Sequence, residues 1–207
     1  MKVLGSLWIG ISLIMDISHI VPPDEKKSGW GWMPTTPEVL QMFDRINTLC
    51  SPTNVLEIGF FVGHSTTYML ETFDCKVTSY GMCKQFRASR DAMLAKYQDR
   101  LRIYYIQSFR IYGTHINKDS FDFALVDGSH HYEVAACDIL QCIMLGIPWL
   151  LVDNTDHSDV QAALSLFDEV VDLTEVFLYN STHKNVSKVN EARLYNVRTN
   201  DIQKLIR

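Results

Sequence analysis

The stretch NVLEIGFFVGHSTTYML, Asn54 to Leu70, changes its periodicity halfway along. Val55, Leu56 and Ile58 form a short apolar run of the kind found in a buried strand. From His64 onward the spacing suits a helix. Gly59 and Gly63 stand at the join. A strand, a glycine turn and a helix in that order make the first unit of an α/β fold with a parallel sheet. Glycine at the join lets the chain turn sharply and lets its backbone approach a neighbour or a ligand closely.

The same alternation continues outward. Further strand-like runs are KVTSYG (76–81), LRIYYI (101–106), FDFALVD (121–127), PWLLVD (148–153), EVFLYN (175–180) and ARLYNVR (192–198). Helical spacing predicts helices over about 63–73, 84–97, 131–145 and 158–171. FDFALVD and PWLLVD are almost continuously apolar, as strands covered on both faces must be. The last two strands are separated only by the polar STHKNVSKVN, which predicts a loop and an antiparallel hairpin. Before the first strand, Thr36 and Pro37 open a helix as N-cap and first helical residue. The segment 21–38, rich in Pro, Gly and charge, reads as surface loop; its Trp30 and Trp32 either plug the domain or line a ligand pocket, of which Tyr179 is a further candidate aromatic wall.

Composition narrows the functional classes. The chain has 207 residues, 47% of them hydrophobic, and a formal net charge of -5. That predicts one folded domain over 1–207, with 1–36 as an N-terminal segment able to act as a lid and 37–207 as the core. The acidic balance speaks against a nucleic-acid partner. The five cysteines include no C-x-x-C pair, so free thiols in a reducing, cytoplasmic compartment are expected rather than disulfides or zinc. MKVLGSLWIGISLIM imitates a secretory signal, but Asp16 closes the run and no small-x-small cleavage site follows. The run is too short to span a bilayer, and no membrane partner is expected.

In an open α/β sheet, ligands bind beyond the carboxyl ends of the strands. Three such ends carry unexpected polar residues. Glu57 lies near the end of the first strand, and the helix after Gly63 begins with free N–H groups suited to an anion, with Ser65 nearby as a hydroxyl donor. Asp127 ends another strand, followed by Gly128, His130 and His131; a carboxylate and an imidazole at that offset can share a pocket. Asp153 and Asn154 end the next strand, where they either cap the following helix or serve as ligands. Asp127, Asp153 and Asn154 offer only oxygen, which suits magnesium or calcium better than zinc. The phosphate-loop pattern is absent, and Phe61 occupies the middle position of G-x-G-x-x-G, so a dinucleotide is disfavoured.

Four of these segments, in order, resemble the class I S-adenosylmethionine-dependent methyltransferases, nearest the catechol O-methyltransferase-like and sugar O-methyltransferase-like groups. WMPTTPEVLQMF, VLEIGFFVGHST, FDFALVDGSHHYEVAACDI and LLVDNTD carry the resemblance, from about Met33 to Asp156. It implies a Rossmann-like, doubly wound seven-stranded sheet, mostly parallel, with an antiparallel C-terminal hairpin strand. It also implies that Glu57, Gly59, Phe61, Gly63, Ser65 and Asp127 surround the cofactor S-adenosylmethionine, with Met33 and Thr35 over it, Met82 against the adenine and Ser108 at its edge. Asp127, Asp153 and Asn154 would hold Mg2+. His130, with Asp127, would be catalytic, taking a proton from a small hydroxylated substrate such as a catechol or sugar diol.

One position departs from the family pattern. The residue that should be an acid binding both ribose hydroxyls is Gly81. Two lost hydrogen bonds at about 0.5–1.5 kcal/mol each weaken binding by roughly ten- to a hundredfold. An acid restored at position 81 is therefore expected to tighten cofactor binding, and a non-catalytic binding module on the same scaffold is the alternative reading.

Overall fold

The computed structural model describes residues 33–34, 36–81, 87–106, 121–183, 186–198 and 201. Helix α1 (Pro37–Cys50) starts where the Thr36–Pro37 pair predicts, with Thr36 in extended backbone, although its side chain makes no capping hydrogen bond. Then follow β1 (Asn54–Ile58), α2 (His64–Thr72), β2 (Lys76–Tyr80), α3 (Arg87–Tyr97) and β3 (Leu101–Tyr104). The second half holds β4 (Phe123–Val126), α4 (Tyr132–Met144), β5 (Trp149–Val152), α5 (Ser158–Leu164), β6 (Val171–His183) and β7 (Val186–Val197).

All seven strands join one sheet in the order β3-β2-β1-β4-β5-β7-β6. The first five pair in parallel; β7 runs antiparallel to both β5 and β6. The reversal of strand order between β1 and β4 is where a doubly wound sheet opens a crevice for ligands.

Alternate residues of each central strand feed opposite cores, because successive side chains point to opposite faces. Val55, Val77, Leu125 and Leu151 pack with Val39, Phe43, Tyr68 and Met93 of α1, α2 and α3. Leu56, Ala124, Val126, Leu150 and Val152 pack with Ile139, Ile143, Val160 and Ala163 of α4 and α5. Both faces are buried, so the strands have no polar side to show in the sequence. Cys50, Cys75, Cys137 and Cys142 are free thiols, and burial pushes those of Cys50 and Cys75 up to about 12.

Two expectations are corrected. The helix predicted to 171 stops at Leu164, with a single tight turn over Ser165–Phe167 and then a strand from Val171. The burial of Phe167, Val170 and Val171 satisfies the apolar positions that imitated helical spacing. The polar STHKNVSKVN is not a loop throughout: Ser181 pairs with Lys188 and Thr182 with Ser187. That part of the hairpin is held by backbone pairing and needs no apolar alternation, which is why its sequence looks like a loop.

Candidate active site at the strand ends

The register of the parallel strands brings their ends into a row. Gly81 N–H donates to Tyr104 O (3.1 Å), Gly59 N–H to Tyr80 O (2.8 Å), Asp127 N–H to Ile58 O (2.8 Å) and Asp153 N–H to Val126 O (3.0 Å). Each donor is the first residue beyond its strand, and each acceptor is the last residue of the neighbouring one. Asp127 and Asp153 therefore stand side by side, with Gly59 next in the row.

Glu57 lies two residues back from Gly59 and is fully buried. Its carboxylate accepts hydrogen bonds from Ser65 Oγ (2.6 Å), Thr66 Oγ1 (2.7 Å) and Ser79 Oγ. Ser79 is the register partner of Glu57 on β2. Burial raises the pKa of Glu57, and the three hydroxyls oppose that rise. The carboxylate thus ties β1, β2 and the first turn of α2 together, which fixes the loop between Gly59 and Gly63. The hydroxyl of Ser65 is engaged inside this knot.

Contacts within the protein account for the glycines. Gly59 has φ +122°, and a Cβ there would lie 1.9 Å from the carbonyl oxygen of Asp127. Gly63 is the N-cap of α2 with φ +90°, where a Cβ would meet Met93 Sδ at 2.0 Å. At Gly81 a Cβ would lie 2.3 Å from the carbonyl oxygen of Phe60. Phe60 is buried, and its N–H is bonded to Tyr80 O (3.0 Å). Position 81, where the resemblance implies an acid, is thus closed to a side chain by the chain's own backbone. Phe61, half-buried, lies in the same loop.

Asp153 is buried, and both its oxygens accept from Tyr179 Oη, at 2.7 and 2.8 Å. Burial raises its carboxyl to about 6 in spite of that hydrogen bond. Asp127 is pushed well above the usual carboxylate range by burial, then by the charges of Asp153 and Glu57. Asp127 thus feels the charges of both Asp153 and Glu57, an arrangement that favours a proton or a cation near it. Among the described residues no three His, Cys, Asp or Glu side chains form a metal cluster. The candidate set is two carboxylates and the amide of Asn154, and its all-oxygen chemistry fits a hard divalent cation.

Helix α5 is capped by His157, so neither Asp153 nor Asn154 serves as its N-cap. Asn154 adopts the left-handed conformation, with φ +54°. His130, on the neighbouring loop, lies outside α4 with part of its surface exposed. The His130 and His157 rings are 5.7 Å apart. Partial desolvation of the ring, then the charges of His157 and Lys188, hold the pKa of His130 below its ordinary value. The loop after β5 is pinned to β7 by Thr155 N–H to Glu191 O (2.8 Å) and by the Lys188–Asp156 ion pair (2.6 Å).

On the other side, Met33 is buried and its carbonyl accepts from His64 Nδ1 (3.0 Å), while Tyr68 Oη donates to Pro34 O (3.0 Å). The segment before α1 is thereby held across the start of α2. Thr35, Met82 and Ser108, like Trp30 and Trp32, lie outside the described residues. Sequence reasoning missed Thr66, Ser79 and His157. Ser79 had a visible signal, a hydroxyl in an otherwise covered strand. Tyr179, read from sequence as an aromatic wall, is instead a buried partner of Asp153.

The fold has many solved counterparts. Cofactor-bound Rv0187 from MTB is 16% identical with a TM-score of 0.65, over 84% of this chain and 86% of that one. The O-methyltransferase from Bacillus cereus, in complex with SAH, is 14% identical with a TM-score of 0.61, over 87% and 94%. The O-methyltransferase TomG from Streptomyces achromogenes, involved in tomaymycin synthesis and in complex with SAM, is 17% identical with a TM-score of 0.60, over 78% and 80%. The chain spans about half of the longer TrmN from Thermus thermophilus, 48% of its length, at 13% identity and a TM-score of 0.59. No protein-family model and no curated protein sequence matches the chain. It has the Rossmann-like fold of the class I S-adenosylmethionine-dependent methyltransferases. Among the described residues, no helix is long and apolar enough to cross a membrane.

Proposed function

We propose that this chain is an S-adenosylmethionine-dependent methyltransferase that methylates a hydroxyl of a small diol, catechol or sugar with the help of a divalent cation. The observation that carries the reading is the pairing of Asp127 and Asp153 at adjacent strand ends with Asn154 and His130 beside them. Free Cys50, Cys75, Cys137 and Cys142 support a reducing, cytoplasmic setting.

S-adenosylmethionine, when bound, supplies a methyl group already activated on a positive sulfur. The loop from Gly59 to Gly63 and the N-terminal N–H groups of α2 would hold its amino-acid end, with Met33 nearby. The protein's task is then alignment and removal of one proton. A cation held by Asp127, Asp153 and Asn154 would lower the pKa of a substrate hydroxyl. His130, kept neutral near pH 7 by its surroundings, accepts the proton on a ring nitrogen. His130→Ala should lower turnover by about 10²–10⁴ if it is that base. A loss of only a few-fold in a steady-state assay would assign the proton to another group.

The closed place at Gly81 favours a second reading, a binding module without turnover. Calorimetry with S-adenosylhomocysteine, with and without Mg2+, decides between them. Binding followed by chelator-sensitive methylation of a diol supports the enzyme. The absence of binding at millimolar ligand supports the module.

A further inference from the structure

Tyr179 is the one residue of the C-terminal hairpin whose hydroxyl reaches the strand-end carboxylates among the described residues. It is 2% exposed and packed in the core shared by α1, α2 and α3, so its ring has no room to swing aside. Its oxygen stands at 2.7 Å from one oxygen of Asp153 and 2.8 Å from the other. A hydroxyl equidistant from both oxygens occupies the chelating edge of the carboxylate.

We propose that Tyr179 makes this site selective for magnesium over calcium, by closing the chelating edge of Asp153 and leaving it only one-oxygen ligation. The inference rests on reading Asp127, Asp153 and Asn154 as a cation site. Calcium takes a large, adaptable set of oxygens and often grips a carboxylate through both. Magnesium demands a compact octahedron, accepts single oxygens and keeps several waters. Asn154 likewise offers one amide oxygen. A donor set limited to single oxygens suits the smaller ion. Tyr179 is a positioning residue here, because it acts through Asp153.

The test is titration of the full chain with Mg2+ and with Ca2+ by calorimetry, in the presence of S-adenosylhomocysteine, for the unaltered protein and for Tyr179→Phe. The unaltered protein should prefer Mg2+. The variant should keep its circular dichroism and lose about tenfold or more of the Mg2+/Ca2+ preference, the scale on which partners of metal ligands act. An unchanged ratio, or a preference for Ca2+ in the unaltered protein, overturns the role of Tyr179 while the cation site stands. No binding of either ion overturns both. Difference infrared spectroscopy of the unaltered protein against Asp153→Asn does not depend on the folding of Tyr179→Phe. One-oxygen ligation widens the gap between the two Asp153 carboxylate stretches on adding Mg2+, whereas a narrowed gap would refute the proposal.

Discussion

Adding one methyl group at Gly59 or Gly81 strikes the backbone of a neighbouring segment. At Gly59 the methyl would meet the Asp127 carbonyl oxygen at 1.9 Å in a backbone with φ +122°, so neither the space nor the conformation admits it. Gly59→Ala should cost more than about 3 kcal/mol and drag Asp127 out of the row, which thermal unfolding will register. At Gly81 the contacts are Phe60 O at 2.3 Å and Phe60 Cβ at 2.8 Å, and the constraint is steric alone. Gly81→Ala should cost about 1–3 kcal/mol in urea unfolding. The same contact revises the expectation that an acid at position 81 tightens cofactor binding. Gly81→Asp gains an acceptor but displaces the Phe60 segment, which is anchored on Tyr80 O. Calorimetry with S-adenosylhomocysteine should show no gain and the melting temperature should fall. A tighter complex at an unchanged melting temperature would mean that Phe60 yields freely.

The knot around Glu57 joins three elements, and its strength belongs to them together. Ser79 from β2 and Ser65 and Thr66 from α2 all donate to one buried carboxylate on β1. Ser79→Ala removes one donor and leaves the charge under-solvated, at about 1–3 kcal/mol. The sign of its pH dependence follows from linkage. The folded pKa of Glu57 is already raised, so its ionisation opposes folding as pH rises, and loss of a hydroxyl raises the pKa further. The variant's deficit should therefore be larger at pH 8 than at pH 5, measured by urea unfolding at both. A pH-independent deficit would indicate that Glu57 keeps one protonation state across that range. The elements themselves were largely legible in the sequence. Strands covered on both faces are apolar runs, so their polar ends (Glu57, Asp127, Asp153) stood out and marked the site. The hairpin was less legible, because Tyr179 and Asp153 meet only through the β5–β7–β6 register. Nothing local to Tyr179 distinguishes a carboxylate partner from an aromatic wall, and nothing local to Gly81 reveals that Phe60 fills its place.

Across the whole molecule, the desolvation of Glu57, Asp127 and Asp153 sets their ionisation against stability. Asp153 illustrates the sign. Its ordinary value is 3.8 and its folded value about 6, so the folded state binds more protons than the unfolded state between those values. Stability is unaffected below about 3.8, falls as pH rises through the interval, and above about 6 carries the full penalty, up to roughly 3 kcal/mol. Asp153→Asn keeps an acceptor for Tyr179 and removes the charge. It should raise the melting temperature of the cation-free protein at pH 7, and the advantage should vanish near pH 4. Mg2+ should act in the opposite sense on the pair. It stabilises the unaltered protein at pH 7 in proportion to the logarithm of its concentration above Kd, and leaves Asp153→Asn unmoved. Thermal melts of both proteins at pH 4 and pH 7, with and without Mg2+, read all of these terms. A stabilisation by Mg2+ that survives in Asp153→Asn would place the cation elsewhere on the molecule. A variant no more stable than its parent at pH 7 would mean that the Asp153 carboxylate is already neutral, its proton shared with Asp127 across the row.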